Sequence, residues 1–197
     1  MTARIAGLLY LILIPVSVFG IMYVPADILA HEMLFRLSIA SALVAQLINI
    51  FVLFLLYKLL KPVNAEYAKL MVVLFLIGVP VALCSELSRF AVLLILHSSD
   101  QSHTLVPLFL DLHKQGIYVA QIFWGLWLLP LGYLVYKSRF LPKIIGVLLM
   151  IGCFGYVIDS FVFFLFPQFG FTFSTYTFIG EPLLALWLLI KGVSVES

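Results

Sequence analysis

A chain of 197 residues that is 64% hydrophobic and only 10% charged, with a mean hydropathy of +1.22, is far too apolar for a water-soluble domain, in which about a quarter of residues are charged. The same figures exclude a disordered, collagen-like or disulfide-stapled chain, because two cysteines, both inside apolar runs, make no framework. The formal charge of +2 carries no basic stripe, so nucleic acid is excluded as a partner, and the expected environment is a lipid bilayer.

A hydrocarbon core about 30 Å thick needs ~20 residues of helix at ~1.5 Å rise each. On that measure the chain divides at its prolines and polar turns into six spans. The first runs from about Ile5 to Val24 and stops at Pro25, too long for the core of a signal peptide. The second runs from Leu34 to Leu60, stopping at Pro62, and the third from Lys69 to Leu96. The fourth, fifth and sixth run from Leu105 to Tyr136, Leu141 to Phe166 and Phe173 to Ile190. Runs this long without period-two alternation exclude barrel strands. The expectation is a single all-α domain, residues 1–197, a polytopic bundle of six transmembrane helices.

Basic residues set the expected orientation. Arg4, Lys58, Lys61, Lys69, Lys137, Arg139, Lys143 and Lys191 fall at one set of helix ends, and Arg36, Arg89 and Lys114 in the opposite half. Eight against three places both termini in the cytoplasm. The outer loops, residues 25–33, 97–104 and 167–172, are too short for a further domain, so function is expected inside the bundle or at its rims.

An ionised side chain at mid-helix costs ~2.5–3.5 kcal/mol on the insertion scale, so each intramembrane charge asks for a reason. Glu86 and Arg89 lie in the outer half of span three, spaced i,i+3 for an ion pair. On span four Asp111, Lys114, Gln115, Tyr118, Gln121 and Gly125 form one stripe, with His113 pointing away from it. Gly152, Gly155, Tyr156 and Asp159 share a face of span five, as do Ser174, Thr177 and Glu181 on span six. Pro182 follows Glu181 and deprives a carbonyl one turn earlier of its donor. The expectation is that Glu86, Arg89, Asp111, Lys114, Asp159 and Glu181 converge on an outward-facing polar cluster, with Glu181 at its functional centre or, structurally, paired with Arg89 or Lys114.

Several chemistries lose their signatures. His31-Glu32 is followed by Phe35 where a zinc-protease helix needs its second histidine, and GxSxG, P-loop and GxGxxG patterns are missing. His97, Asp100, His103, Asp111 and His113 surround one outer loop, but their spacing matches no specific metal site, and no cofactor is assigned. Three function classes stay open: binding or transport of a small cation, proton or amphiphilic substrate; an intramembrane enzyme, metal-assisted or not, acting on a lipid-like ligand; and a structural or accessory subunit.

The stretches ARIAGLLYLILI, LFRLSIA, YKLLKPVN, LFLDLHKQG, GLWLLPLGYLVYKS, LPKIIG, GYVIDS and GEPLLALWLL together resemble the bacterial membrane proteins grouped as domain of unknown function 4386. The resemblance covers nearly the whole chain. It implies a six-span protein of the bacterial plasma membrane and assigns no activity to any residue.

Overall fold

The computed structural model describes residues 2–98 and 103–192. Eight α-helices follow one another, and no strand occurs among the described residues. They are α1 (Thr2–Met22), α2 (Glu32–Leu60), α3 (Ala65–Leu96), α4 (Val106–Leu126), α5 (Leu128–Lys137), α6 (Lys143–Leu165), α7 (Ser174–Thr177) and α8 (Gly180–Ile190). Five stretches are long and apolar enough to cross a membrane: α1, α2, α3, α4 continued by α5, and α6. A shorter apolar stretch, Ser174–Ile190, made of α7 and α8, follows where the sixth span is expected.

Local chemistry explains the boundaries. Asn64 starts α3 by accepting hydrogen bonds from the amides of Glu66 and Tyr67 at 3.0 and 3.1 Å, closing a tight turn behind Pro62. The single fourth helix expected from the sequence is instead interrupted at Trp127, three residues before Pro130, whose ring nitrogen donates nothing to the turn beneath it. α5 continues the span to Lys137.

Packing follows chain order around a closed ring. α1 packs on α2, α2 on α3, α3 on α4, α4 and α5 on α6, α6 on α7 and α8, and α8 returns to α1. Glycines let the backbones meet at several of these seams. A Cβ on Gly7 would fall 2.6 Å from the Ala185 carbonyl oxygen, and one on Gly132 would fall 2.6 Å from that of Gly146. Tyr10, Leu56, Leu60, Met71, Phe75, Leu128, Leu131, Leu184 and Leu188 fill the buried core.

The outside of the ring is as apolar as the inside. Leu8, Leu47, Phe51, Phe54, Leu76, Leu87, Leu94, Phe154 and Leu165 are all exposed, a surface far beyond the few hundred Å² of apolar patch that a soluble monomer tolerates. The molecule is therefore a helical membrane bundle. Gly192 lies against Arg4, so the first and last described segments reach the same end of the bundle. That end also carries the turns 61–64 and 138–142 and is called the basic end here; the opposite end is the far end.

Candidate functional site

The intramembrane charges settle into separate places. Near the far end, Arg89 of α3 is completely buried, and its guanidinium reaches the end of α1. It donates to the carbonyl oxygens of Gly20 at 2.6 Å and Tyr23 at 3.1 Å, satisfying the last turn of a helix whose carbonyls have no intrahelical donors. It also donates to the hydroxyl of Ser38 on α2 and sits 4.9 Å from the centre of the Phe35 ring. Glu86 supplies the counter-charge at 3.3 Å, the i,i+3 pair expected from the sequence. His113 of α4 completes the cluster, its Nδ1 donating to the Ser85 carbonyl oxygen at 3.2 Å and lying 3.7 Å from Glu86. Four helices are thus tied at one level, which is structural work.

Asp159 of α6 is also buried and also structural in its contacts. Its two carboxylate oxygens accept from the backbone amides of Phe173 and Ser174 at 2.7 and 2.8 Å. Those amides open α7, so Asp159 caps from another helix the turn that carries the chain into its last span.

Glu181 stands apart. It lies seven residues beyond the start of α7 and nine before the end of α8, about 10 Å and 14 Å along the axis, hence mid-span. Its Oε2 accepts from the Tyr10 hydroxyl of α1 at 2.6 Å, and its Oε1 from the Tyr156 hydroxyl of α6 at 2.9 Å. No Lys, Arg or His among the described residues lies within ion-pair distance of it. The expected pairing with Arg89 or Lys114 is replaced by two phenols. Arg89 is occupied at Gly20 and Tyr23, ten and thirteen residues up α1 from Tyr10, or about 15 Å and more away along the axis.

The surroundings of Glu181 are held closely. Gln121 of α4 donates to the Tyr156 carbonyl oxygen at 3.1 Å, and Thr177 packs against Gly155, where a Cβ would collide with its hydroxyl. The carbonyl that Pro182 deprives of its usual donor, that of Phe178, accepts instead from the Glu181 amide at 3.1 Å. That exchange fixes the backbone beside the carboxyl. The Thr177 hydroxyl is buried with no hydrogen-bond partner among the described residues, as are Gln46 Oε1 and Trp124 Nε1, so polar capacity is left over in the interior.

Asp111 and Lys114 do not join either cluster. Both are exposed, as is Gln115, whereas His113 is buried. Only the first turns of the stripe face outward; lower down Tyr118 stacks on Phe163, Gln121 donates to the Tyr156 carbonyl oxygen and Gly125 is buried against α6, while the opposite face, which meets α3, carries Gly116 against Ser85, the fully buried Ala120, His113 and Trp124. Lys114 rests 5.2 Å from the Phe163 ring centre. The six candidate residues therefore do not converge.

Among the described residues no three His, Cys, Asp or Glu side chains gather into a metal ligand set. Asp100 lies outside the described residues, and nothing is described of the His103 side chain. His97 pairs instead with Glu32 at 3.3 Å, and Glu32 with Arg36 at 2.5 Å, linking the ends of α2 and α3. Tyr10 escaped the sequence reading, although a phenol in mid-span rather than at the interface was a signal, since tyrosines in membranes favour the headgroup level.

The family comparison matches residues 5–192 to a domain of unknown function, DUF4386. An uncharacterized protein of Archaeoglobus fulgidus is 34% identical over 155 residues, 79% of this chain and 83% of that protein. No solved structure matches. With nearly its whole length covered by the family model, the chain belongs to the DUF4386 family.

Proposed function

We propose that this protein binds and moves a proton or small cation within the membrane, with Glu181 as the exchanging group and Tyr10 and Tyr156 as its ligands. One observation carries the reading: a carboxyl at mid-span held by two phenols from two other helices, with no cationic partner among the described residues. An intramembrane acid without a cation is costly to keep ionised, and acids of that kind mark ion and proton routes. Each carboxylate oxygen uses one lone pair on a phenol and keeps another, so the group can take up a proton or share a small cation with the phenol oxygens. The family resemblance implies a bacterial plasma membrane as the site of the bundle, and the eight-to-three bias of basic residues favours both termini on the cytoplasmic side.

The test is reconstitution into vesicles holding a pH-sensitive dye, with a potassium diffusion potential imposed by valinomycin and sodium, lithium or potassium salts outside. Protein-dependent proton or cation movement that disappears in Glu181→Gln is the expected result. Wild-type vesicles that behave as empty ones under every ion condition overturn the proposal.

A further inference from the structure

The turn between α5 and α6, at the basic end, carries an open-sided pocket of about 520 Å³ lined by Tyr136, Lys137, Ser138, Arg139, Leu141 and Lys143. Three of its six lining residues are cations and none is an acid. We infer that this pocket is a binding site for a phosphate group, supplied by the headgroup of an anionic lipid.

The charges are arranged for an external anion. Lys137, Arg139 and Lys143 are exposed, and none has a carboxylate partner among the described residues, whereas Lys69 on the neighbouring turn is neutralised by Glu66 at 2.8 Å. α6 begins at Lys143, and among the described residues no side chain caps its first amides, so the positive end of a 23-residue helix lies beside the three cations. The turn is also fixed in advance. Ser138 is buried, its amide donating to the Leu134 carbonyl oxygen at 2.9 Å and its hydroxyl to that of Val135 at 2.8 Å. Lys137 lies 5.9 Å from the Tyr133 ring centre and Lys143 5.7 Å from that of Tyr136, which restrains both stems. Tyr133 itself stacks on Tyr67 of α3 at 4.2 Å. Exposed tyrosine and lysine at the end of a span mark headgroup depth, where the phosphates at hand belong to lipids, and an apolar floor at Leu141 suits an acyl chain better than a fully hydrated ion.

Native mass spectrometry of the full-length protein in detergent, titrated with phosphatidylglycerol or phosphatidylcholine, tests the site. Retention of phosphatidylglycerol well above phosphatidylcholine is expected. The triple replacement Lys137→Gln, Arg139→Gln, Lys143→Gln is expected to weaken phosphatidylglycerol roughly a hundredfold, at about fivefold per cation, and to leave phosphatidylcholine unchanged. A control triple, Arg4→Gln, Lys58→Gln, Lys61→Gln, removes the same charge from the same end without touching the pocket. An equal loss in the control, or equal binding of the two lipids by wild type, overturns the inference. If the first triple does not fold, Arg139→Gln alone must lower phosphatidylglycerol affinity about fivefold, and no loss there overturns it equally. Competition by millimolar inorganic phosphate identifies a site that takes the free anion too; persistence of the bound lipid identifies the headgroup as the specific source.

Discussion

Tyr10 and Glu181 lie 171 positions apart in the chain, yet a 2.6 Å hydrogen bond from the phenol of one to the carboxyl of the other joins the first span to the last. It closes the ring of helices at mid-depth. A hydrogen bond to an ionisable group is worth ~1.5–3 kcal/mol, so Tyr10→Phe is expected to lower stability by about that amount. Tyr156→Phe acts on the other oxygen of the same carboxyl, so the two changes are not independent. Equilibrium unfolding of the single and double variants in bicelles checks this, and strictly additive losses would count against a shared site. Glu181→Gln keeps the size and one acceptor oxygen, and its amide can donate to the oxygen of the other phenol, so it is expected to stay folded while losing the proposed ion movement; severe destabilisation restored by no second change would mark Glu181 as structural.

Arg89 is expected to be the most sensitive structural position. It serves the carbonyl oxygens of Gly20 in α1 and of Tyr23 just beyond it, the Ser38 hydroxyl and Glu86 from one planar group, a geometry that the compact ammonium of lysine does not reproduce. Removing one partner of a buried pair strands the other charge, at a cost of about 3–5 kcal/mol. Arg89→Gln should therefore fold poorly, and Arg89→Lys should lose part of that amount. Adding Glu86→Gln to Arg89→Gln is expected to recover some of the loss, since it removes the stranded acid. Thermal melting in nanodiscs reads all three, and an Arg89→Gln protein as stable as wild type would sink the structural assignment.

The spans were legible in the sequence because hydropathy and proline act along one helix, and a 20-residue apolar run has one physical outcome in a bilayer. The faces of α6 and span six were legible for the same reason: Gly155, Tyr156 and Asp159, like Thr177 and Glu181, share faces by phase alone. What phase does not give is the neighbour that a face meets. Glu181 meets Tyr10 and Tyr156 because α8 closes the ring between α1 and α6, a fact of packing that no single helix carries. On α4 the polar stripe divides along its length: Gln121 and Gly125 meet α6, whereas Asp111, Lys114 and Gln115 are exposed, and the close approach to α3 is made by the opposite face through Gly116 and Ala120. Asp111 and Lys114 fall within the first three turns of α4, where long or polar side chains still reach the headgroups.

Asp159 offers a prediction about local order. Its carboxylate holds two amides at the entrance to the last span, so Asp159→Ala should cost ~1–2 kcal/mol and Asp159→Asn, which keeps one acceptor oxygen, about half as much. The loss should be local. Hydrogen exchange at Phe173 and Ser174 is expected to quicken while the amides of α2 and α3 are unaffected, and uniform acceleration across the bundle would instead indicate global destabilisation.

Orientation decides from which side Glu181 is reached, and it is testable without any assay of the proposed ion movement. The positive-inside rule counts Lys and Arg in short loops near the ends of spans, and here the loops at the basic end hold most of them. Phe140→Cys lies in the turn between α5 and α6 at the basic end, and Gly170→Cys in the loop before α7 at the far end, where nothing crowds the site. Each is introduced singly after Cys84 and Cys153 are replaced by serine and alanine. A membrane-impermeant maleimide added to intact cells is expected to label the residue-170 thiol alone, and to label the residue-140 thiol only after permeabilisation. The reverse pattern would invert the bundle, placing the basic pocket outside and opening the Arg89 end to the cytoplasm. Labelling of both from outside would contradict a basic end and a far end on opposite faces of the membrane, and with it the six-span arrangement.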